Sequence, residues 1–369
     1  MDPTPVCSPV MSMRLGIVGC GAIGNIHAAA AKRQGVDLVG AWDIHEGRAA
    51  LLTSTHGGRA FGSLDDLLAM KEIDAVAIAV PNNLHAPLAI QSLRAGKHVL
   101  LEKPMAMSTA ECRTIKAEAI KARRVLELGF VCRGAPAARA VRHFIDAGRF
   151  GRISHIKCAS YRRRGVPGLG GWFTTKSISG GGAVIDLGVH LIDLSLFLAG
   201  NASPTHASAQ VFSGLGCRMR DYVYTAMWAG PPRLDGTCDV EDGATALIRC
   251  DGGLTIEMNV FWAANLPEGQ LSDGLTILGD KAGATFQIFG RSAKIATEEE
   301  GRLVDIVPHF TCEDPDREMW DAQYTQFRRA VEDGVAPHAD ADAGIRVQAT
   351  VEAIYASAAT GREVPVSLS

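Results

Sequence analysis

Between residues 13 and 104, short apolar runs alternate with stretches of helical period. The runs cover 15–18, 38–42, 75–80 and 98–101, and each is closed by turn residues. Strands separated by helices predict a parallel, doubly wound sheet. A helix is expected over 84–95, with Asn83 as its N-cap and Gly96 as its stop. Beyond residue 150 the pattern becomes antiparallel. Residues 244–250 and 254–262 flank Asp251-Gly252-Gly253, and 274–279 and 284–289 flank Asp280-Lys281-Ala282-Gly283. Both are hairpin signals, and 153–161 and 206–212 are the expected partner strands. One long helix is predicted at about 181–199, and two more at about 317–333 and 343–359, the last stopped by Gly361. The Gly/Pro/Arg-rich segment 213–240 reads as a surface loop.

A chain of 369 residues predicts two domains and a sizeable core. The formal net charge of −3, with no long charge run, argues against a nucleic-acid binder or a disordered tail. The longest apolar segment, 183–199, is interrupted by Asp186, His190 and Asp193, so no membrane span is expected. The first dozen residues have neither a basic start nor an apolar core and do not read as a signal peptide. Nine scattered cysteines without a C-x-x-C pair predict reduced thiols and a cytoplasmic location.

Gly19-Cys20-Gly21-Ala22-Ile23-Gly24 fits G-x-G-x-x-G. The six residues are a weak signal alone, but an apolar strand precedes them, a helical run follows, and a second strand ends at Asp43. In this arrangement Gly19 allows a tight turn, Gly21 lets the backbone approach a pyrophosphate, and Gly24 lets helix pack on strand. The helix N-terminus offers free N–H groups to the phosphates. Asp43, followed by Ile44, would accept hydrogen bonds from ribose hydroxyls and repel a 2′-phosphate, which favours NAD over NADP. Arg48 is the one nearby group able to fold back onto such a phosphate.

Two further motifs carry chemistry. In HVLLEKP (98–104), Lys103 falls at the carboxyl end of a strand, where such sheets place their ligands, and Pro104 restricts its backbone. A lysine there would donate to a substrate hydroxyl and favour its alkoxide; the tripeptide equally fits a surface lysine closing a strand. On the helix around 181–199, Leu187, Leu191, Leu194 and Leu198 form one buried stripe, and Asp186, His190 and Asp193 form another. Ionisable groups on an apolar helix are costly unless used or paired. In the catalytic reading His190 accepts a proton, Asp186 orients it or the substrate, and Asp193 is structural. Glycines 180–182 would let this helix approach a cofactor. A metal site formed by Asp186, His190 and Asp193 and a satisfied core histidine stay open beside it.

Together with AVPNNLHAPLAIQSLRAGKHVLLEKPMA (79–106), GGGAVIDLGVHLIDL (180–194) and the closing stretch from Gln326 to Val366, these motifs resemble the Gfo/Idh/MocA oxidoreductases, the group of glucose–fructose oxidoreductase and inositol dehydrogenase. The resemblance runs from about Met13 to Val366. It implies an α/β fold: a Rossmann domain (13–133) and an α+β domain (134–369) with an open, mostly antiparallel sheet that often forms a dimer or tetramer interface. The catalytic residues map to Lys103, Asp186 and His190. The cofactor residues map to Gly19 through Gly24, Asp43, Val80, Pro81, Asn83, His85 and Glu102. Trp172, 14 residues before Asp186, matches an aromatic that touches the cofactor in some relatives. Arg163 and Arg164 precede it and are candidates to reach a phosphate or substrate hydroxyls. Many relatives are polar near Val131, and Arg133 keeps a basic position beside it. The implied function is NAD-dependent oxidation, or reversible reduction, of a secondary hydroxyl of a sugar, glycoside, aminosugar or cyclitol. An NAD-retaining enzyme using transient oxidation for glycoside elimination, a non-catalytic NAD-binding sensor and a metal-dependent lyase are the competing readings.

Overall fold

The computed structural model describes residues 12–221, 223, 227–267, 273–290 and 292–368; the extreme N-terminus and part of the loop 213–240 lie outside them. Six parallel strands form the N-terminal sheet: β1 (Arg14–Val18), β2 (Asp37–Trp42), β3 (Arg59–Ala60), β4 (Ala75–Ile78), β5 (His98–Leu101) and β6 (Leu126–Leu128). Their order is β3-β2-β1-β4-β5-β6. The order reverses between β1 and β4, and the carboxyl ends at that switch point border the ligand crevice. The strands are apolar because both faces are covered; all four residues of β4 are buried. Helices α1 (Ala22–Arg33), α2 (Glu46–His56), α3 (Leu64–Ala69), α4 (His85–Arg94) and α5 (Thr109–Ala122) cover them, with α6 (Pro136–Asp146) leading out. Ser63 and Ser108 cap α3 and α5 by accepting the N–H groups of Asp66 and Glu111.

Asn83 does not cap a helix. A 3₁₀ turn, Asn82–Leu84, precedes α4, and the Leu84 N–H is served by the Pro81 carbonyl. Asn83 is exposed, whereas Asn82 is buried and donates to the Ser179 carbonyl at 2.7 Å.

The second sheet holds β7 (Ile153–Tyr161), β8 (Pro204–Phe212), β9 (Gly243–Cys250), β10 (Thr255–Phe261), β11 (Asp273–Gly279), β12 (Ala282–Gln287), β13 (Ala293–Glu299), β14 (Arg302–Ile306) and β15 (Val364–Pro365). Its order is β14-β13-β12-β11-β7-β10-β9-β8-β15, parallel between β7 and β10 and antiparallel at the other described pairings. Both expected hairpins form. Alternation sets the faces: Ile256, Met258 and Val260 of β10 point into the core.

The long helix expected at 181–199 forms over 183–198 without a break, as a π turn over Val184–Gly188 that runs into α8 (Val189–Leu198); a separate short α7 (Lys176–Ser179) precedes it. Against the expectation from its polar residues, 176–198 is long and apolar enough to cross a membrane, with a mean hydropathy of 1.6. However, 94% of that apolar window is buried inside the protein, as in a core helix. Two C-terminal helices, α9 (Pro315–Glu332) and α10 (Ala341–Thr360), return to the first half. Tyr324 and Phe327 of α9 complete the buried cluster beneath β1 and α1, and α10 packs on β8, α5 and α8.

Candidate active site

The glycine turn sits where β1 ends. Gly19 has φ 95°, and a Cβ on it would lie 2.3 Å from the Ala79 carbonyl oxygen and 2.8 Å from Val80 Cγ1. A Cβ on Gly24 would lie 2.0 Å from the Gly19 carbonyl oxygen, so α1 packs directly on the turn. At Gly21 a Cβ would meet nothing within 4 Å. Gly21 is also the N-cap of α1 and no side chain caps that helix. The open side of the loop and the uncapped N–H groups after it suit a pyrophosphate. Asp43 is buried; its Oδ2 accepts the Cys20 N–H and its Oδ1 the His45 N–H, both at 2.8 Å. It therefore braces the loop and keeps further lone pairs for hydroxyl groups. Ile44 is 79% exposed, and Arg48 projects from α2 into solvent.

Beside this turn, the ends of β4 and β5 are tied together. His85 is buried, with Nδ1 2.6 Å from the Pro104 carbonyl and Nε2 3.0 Å from the Val80 carbonyl. Burial pushes its imidazole below the ordinary range. His85 is thus a strut between the 80–85 loop and the Glu-Lys-Pro turn, whose Lys103–Pro104 peptide is cis.

Lys103 then reaches across to the second half. Its Nζ donates to Asp186 Oδ1 at 2.9 Å and to the Asp186 carbonyl at 2.8 Å. Asp186 lies in the π turn, a feature frequent at functional sites. Its Oδ2 accepts the Trp262 Nε1–H at 2.8 Å. Burial alone would raise the Asp186 carboxyl, but Lys103, Arg162 and the Trp262 hydrogen bond hold it below its ordinary range. His190 follows on α8. Burial, with Lys103 and Arg162 adding to it against Glu102 and Asp186, pushes its imidazole down to about 3. Its Nδ1 lies 3.6 Å from Cys132 Sγ. Among the described residues its Nε2 has no hydrogen-bond partner, which leaves that nitrogen for a substrate. Lys103, Asp186 and His190 therefore meet beside the glycine turn.

Several expected contacts differ. Arg133 does not face a cofactor site: it is buried, with Nε and Nη2 on the two carboxylate oxygens of Asp193 at 2.8 and 2.6 Å and Nη1 on the His338 carbonyl. Asp193 is thereby drawn away from Asp186, so the three acidic and imidazole groups do not converge. Arg163 is exposed, and Arg164 donates to Asn265 Oδ1 at 2.6 Å. The arginine whose charge reaches Asp186 and His190 is Arg162. Gly181 and Gly182 make room for the Tyr355 hydroxyl and for Glu241, which accepts the Gly182 and Val184 N–H groups. Trp172 is half-buried and stacks on Phe173 at 3.7 Å. Trp262, Cys132 and Arg162 were not singled out by motif. Trp262 had one signal, as the last residue of an apolar strand.

Residues 13–130 match the oxidoreductase family with the NAD-binding Rossmann fold, and residues 138–285 match the GFO/IDH/MocA C-terminal domain. The D-glucoside 3-dehydrogenase of Escherichia coli K12 is 30% identical over 95% of this chain and 97% of that protein. Inositol 2-dehydrogenase 2 of Saccharopolyspora erythraea is 28% identical over 97% of each. The crystal structure of GenD2 from gentamicin A biosynthesis, in complex with NAD, superposes with a TM-score of 0.76 at 26% identity over 99% of this chain and 100% of that one. The chain belongs to the Gfo/Idh/MocA oxidoreductase family, and residues 13–130 are its NAD-binding Rossmann fold.

Proposed function

We propose that the protein is an NAD-dependent dehydrogenase acting on a secondary hydroxyl of a sugar, glycoside, aminosugar or cyclitol. The observation that carries the reading is the Lys103–Asp186 pair beside His190 at the carboxyl edge of the NAD-binding sheet. The names of the D-glucoside and inositol dehydrogenases that the chain resembles point to the same substrate class.

Gly19, Gly21 and Gly24, with the backbone of Cys20, Ala22 and Ile23, would hold the pyrophosphate, and Asp43 the adenosine ribose. Val80, Pro81, Glu102 and Trp172 border the nicotinamide side. When bound, the nicotinamide accepts the carbinol hydride at its C4. His190 Nε2 takes the hydroxyl proton, leaving a carbonyl product. Lys103 donates to the reacting oxygen and stabilises its developing charge. Asp186, fixed by Trp262, aims the lysine. Burial pushes His190 down to about 3, so its ring is neutral at neutral pH and its Nε2 can accept a proton; the same groups serve the reverse reduction. After Lys103, Arg162 is the positive charge that acts on both Asp186 and His190. A second copy of the chain would pack on the open face of the second sheet, where Tyr161, Phe261 and Phe212 form an aromatic row.

An NADH-absorbance screen over polyols, cyclitols and glycosides tests the proposal. Sustained NADH formation with one of them is expected. Product formation without NADH release would instead support the NAD-retaining elimination, and NAD binding without any turnover would support a sensor.

A further inference from the structure

We infer that His27 and Tyr324 form a buried clamp that holds the Glu102 carboxylate in place and through it positions Lys103. The inference deepens the dehydrogenase reading and rests on it for the role of Lys103. His27 lies on α1, one turn past the glycine loop, and is fully buried. Its Nε2 is 3.1 Å from Glu102 Oε1, and its Nδ1 is 3.1 Å from the Tyr324 hydroxyl. Glu102 Oε2 accepts the backbone N–H of Lys103 at 3.1 Å. Four residues from three distant parts of the chain are thus joined end to end. Gly129 lies against the carboxylate, where a Cβ would come within 2.8 Å of Glu102 Oε1.

A carboxylate only accepts, so Nε2 carries a hydrogen and donates to Glu102, while Nδ1 shares a hydrogen bond with the Tyr324 hydroxyl. The charged and titratable groups facing Glu102 are His27 from α1, Lys103 beside it, His190 from α8 and Tyr324 from α9. Burial alone would raise the Glu102 carboxyl; the His27 hydrogen bond, with His27, Lys103 and His190, keeps it below its ordinary range. Its negative charge in turn acts on His190. Neither His27 nor Tyr324 touches the reacting atoms, so both are positioning residues. Tyr324 belongs to the C-terminal helix α9, so the clamp also ties that helix to the catalytic edge of the N-terminal sheet.

The test uses the NAD-saturated protein and compares His27→Ala, His27→Gln and His27→Asn. A Gln amide falls near the Nε2 position and can donate to Glu102; an Asn amide falls near Nδ1 and cannot. The first readout is the unfolding temperature as a function of pH, which needs no substrate. In the parent, Glu102 is lowered in the folded state, so its contribution is present above its unfolded value and fades as pH falls. Without the clamp, burial raises the folded value, so the penalty is present at high pH and is relieved as pH falls. Measured against His27→Gln, which likewise lacks a titrating ring, the stability deficit of His27→Ala and His27→Asn at about pH 8 should therefore shrink by roughly half or more at about pH 5. Should the Ala variant fail to fold, the Gln and Asn pair gives the same comparison. A deficit that is constant with pH, or equal for Gln and Asn, overturns the clamp. The second readout is turnover of a polyol found in the NADH screen. His27→Asn should lower kcat by roughly tenfold with NAD affinity kept within about threefold, and His27→Gln should restore most of it. Absence of NADH from every polyol in the parent would sink the dehydrogenase reading alone, because the unfolding comparison decides the clamp independently.

Discussion

Asp193 receives both the Nε and the Nη2 hydrogens of Arg133, at 2.8 and 2.6 Å, and both side chains are buried. Asp193 stands three residues after His190 on α8, so the pair anchors the helix that presents the base. Removing one partner leaves the other charge buried and uncompensated. Asp193→Asn should cost on the order of 3–5 kcal/mol of stability, and Arg133→Met with Asp193→Leu should recover much of it. Urea unfolding of the three proteins measures both. A single-variant loss well under 1 kcal/mol would mean that the helix is held by its apolar contacts alone.

The reacting centre gives a graded series. Lys103→Met or His190→Ala should reduce turnover by roughly 10²–10⁴ with NAD binding largely kept. Trp262→Phe keeps the ring but removes the donor to Asp186 Oδ2. Its effect should be smaller, about tenfold in kcat, since Asp186 retains Lys103. Steady-state kinetics with the polyol from the screen checks the order. A Trp262→Phe loss as large as that of Lys103→Met would place Trp262 among the substrate-contacting groups.

The glycine loop separates folding from binding. Gly21 has φ −77°, a conformation open to any residue, and a methyl there points into empty space. Gly21→Ala should leave the unfolding temperature unchanged or slightly raised, yet weaken NAD by roughly tenfold or more, because the methyl occupies the side that a pyrophosphate approaches. Gly24→Ala drives its methyl against the Gly19 carbonyl and should destabilise the protein itself by about 1–3 kcal/mol. Thermal unfolding with and without NAD distinguishes the two. Asp43→Ala belongs between them, since the carboxylate braces Cys20 and also faces the ribose. It should weaken NAD and narrow the preference over NADP. An unchanged cofactor ratio would show that Asp43 is a brace only.

Much of this was legible in the residues because the signals are local. Apolar runs bounded by turns placed β1, β2, β4, β5 and the hairpins, and Asp251-Gly252-Gly253 marked its own turn. The two-residue strands β3 and β15 and the mixed-polarity β14 carry no such pattern, since they exist only because a neighbour offers a ladder. Lys103, Asp186 and His190 could be read from motif and helical spacing. Asp193 shares the helical stripe of Asp186 and His190 and reads as structural; its carboxylate is taken by Arg133. His27, Tyr324 and Trp262 were invisible for a different reason. Each is an ordinary core residue in its own element and gains a role only from a partner 75 or more residues away.

Histidine burial yields a prediction about acid. His98 accepts the Val125 N–H at Nδ1 at 3.0 Å, a bond only the neutral ring can make, and burial with the Arg124 charge pushes it from 6.5 down to about 4. The unfolded chain takes up that proton near 6.5 and the folded protein does not until about 4. Stability is therefore lost as pH falls through this window. The total slope is not diagnostic, because Glu127, which burial raises to about 8, works the opposite way above its ordinary 4.5. A variant isolates the effect. His98→Asn supplies an amide oxygen near the Nδ1 position but cannot titrate. Its stability relative to the parent should be constant above about pH 7 and should improve steadily as the pH falls toward about 4. Denaturant unfolding of both proteins across that range measures the difference. A difference independent of pH would mean that His98 takes up its proton at the same pH in the folded and unfolded states, so that the Val125 hydrogen bond does not hold the ring neutral.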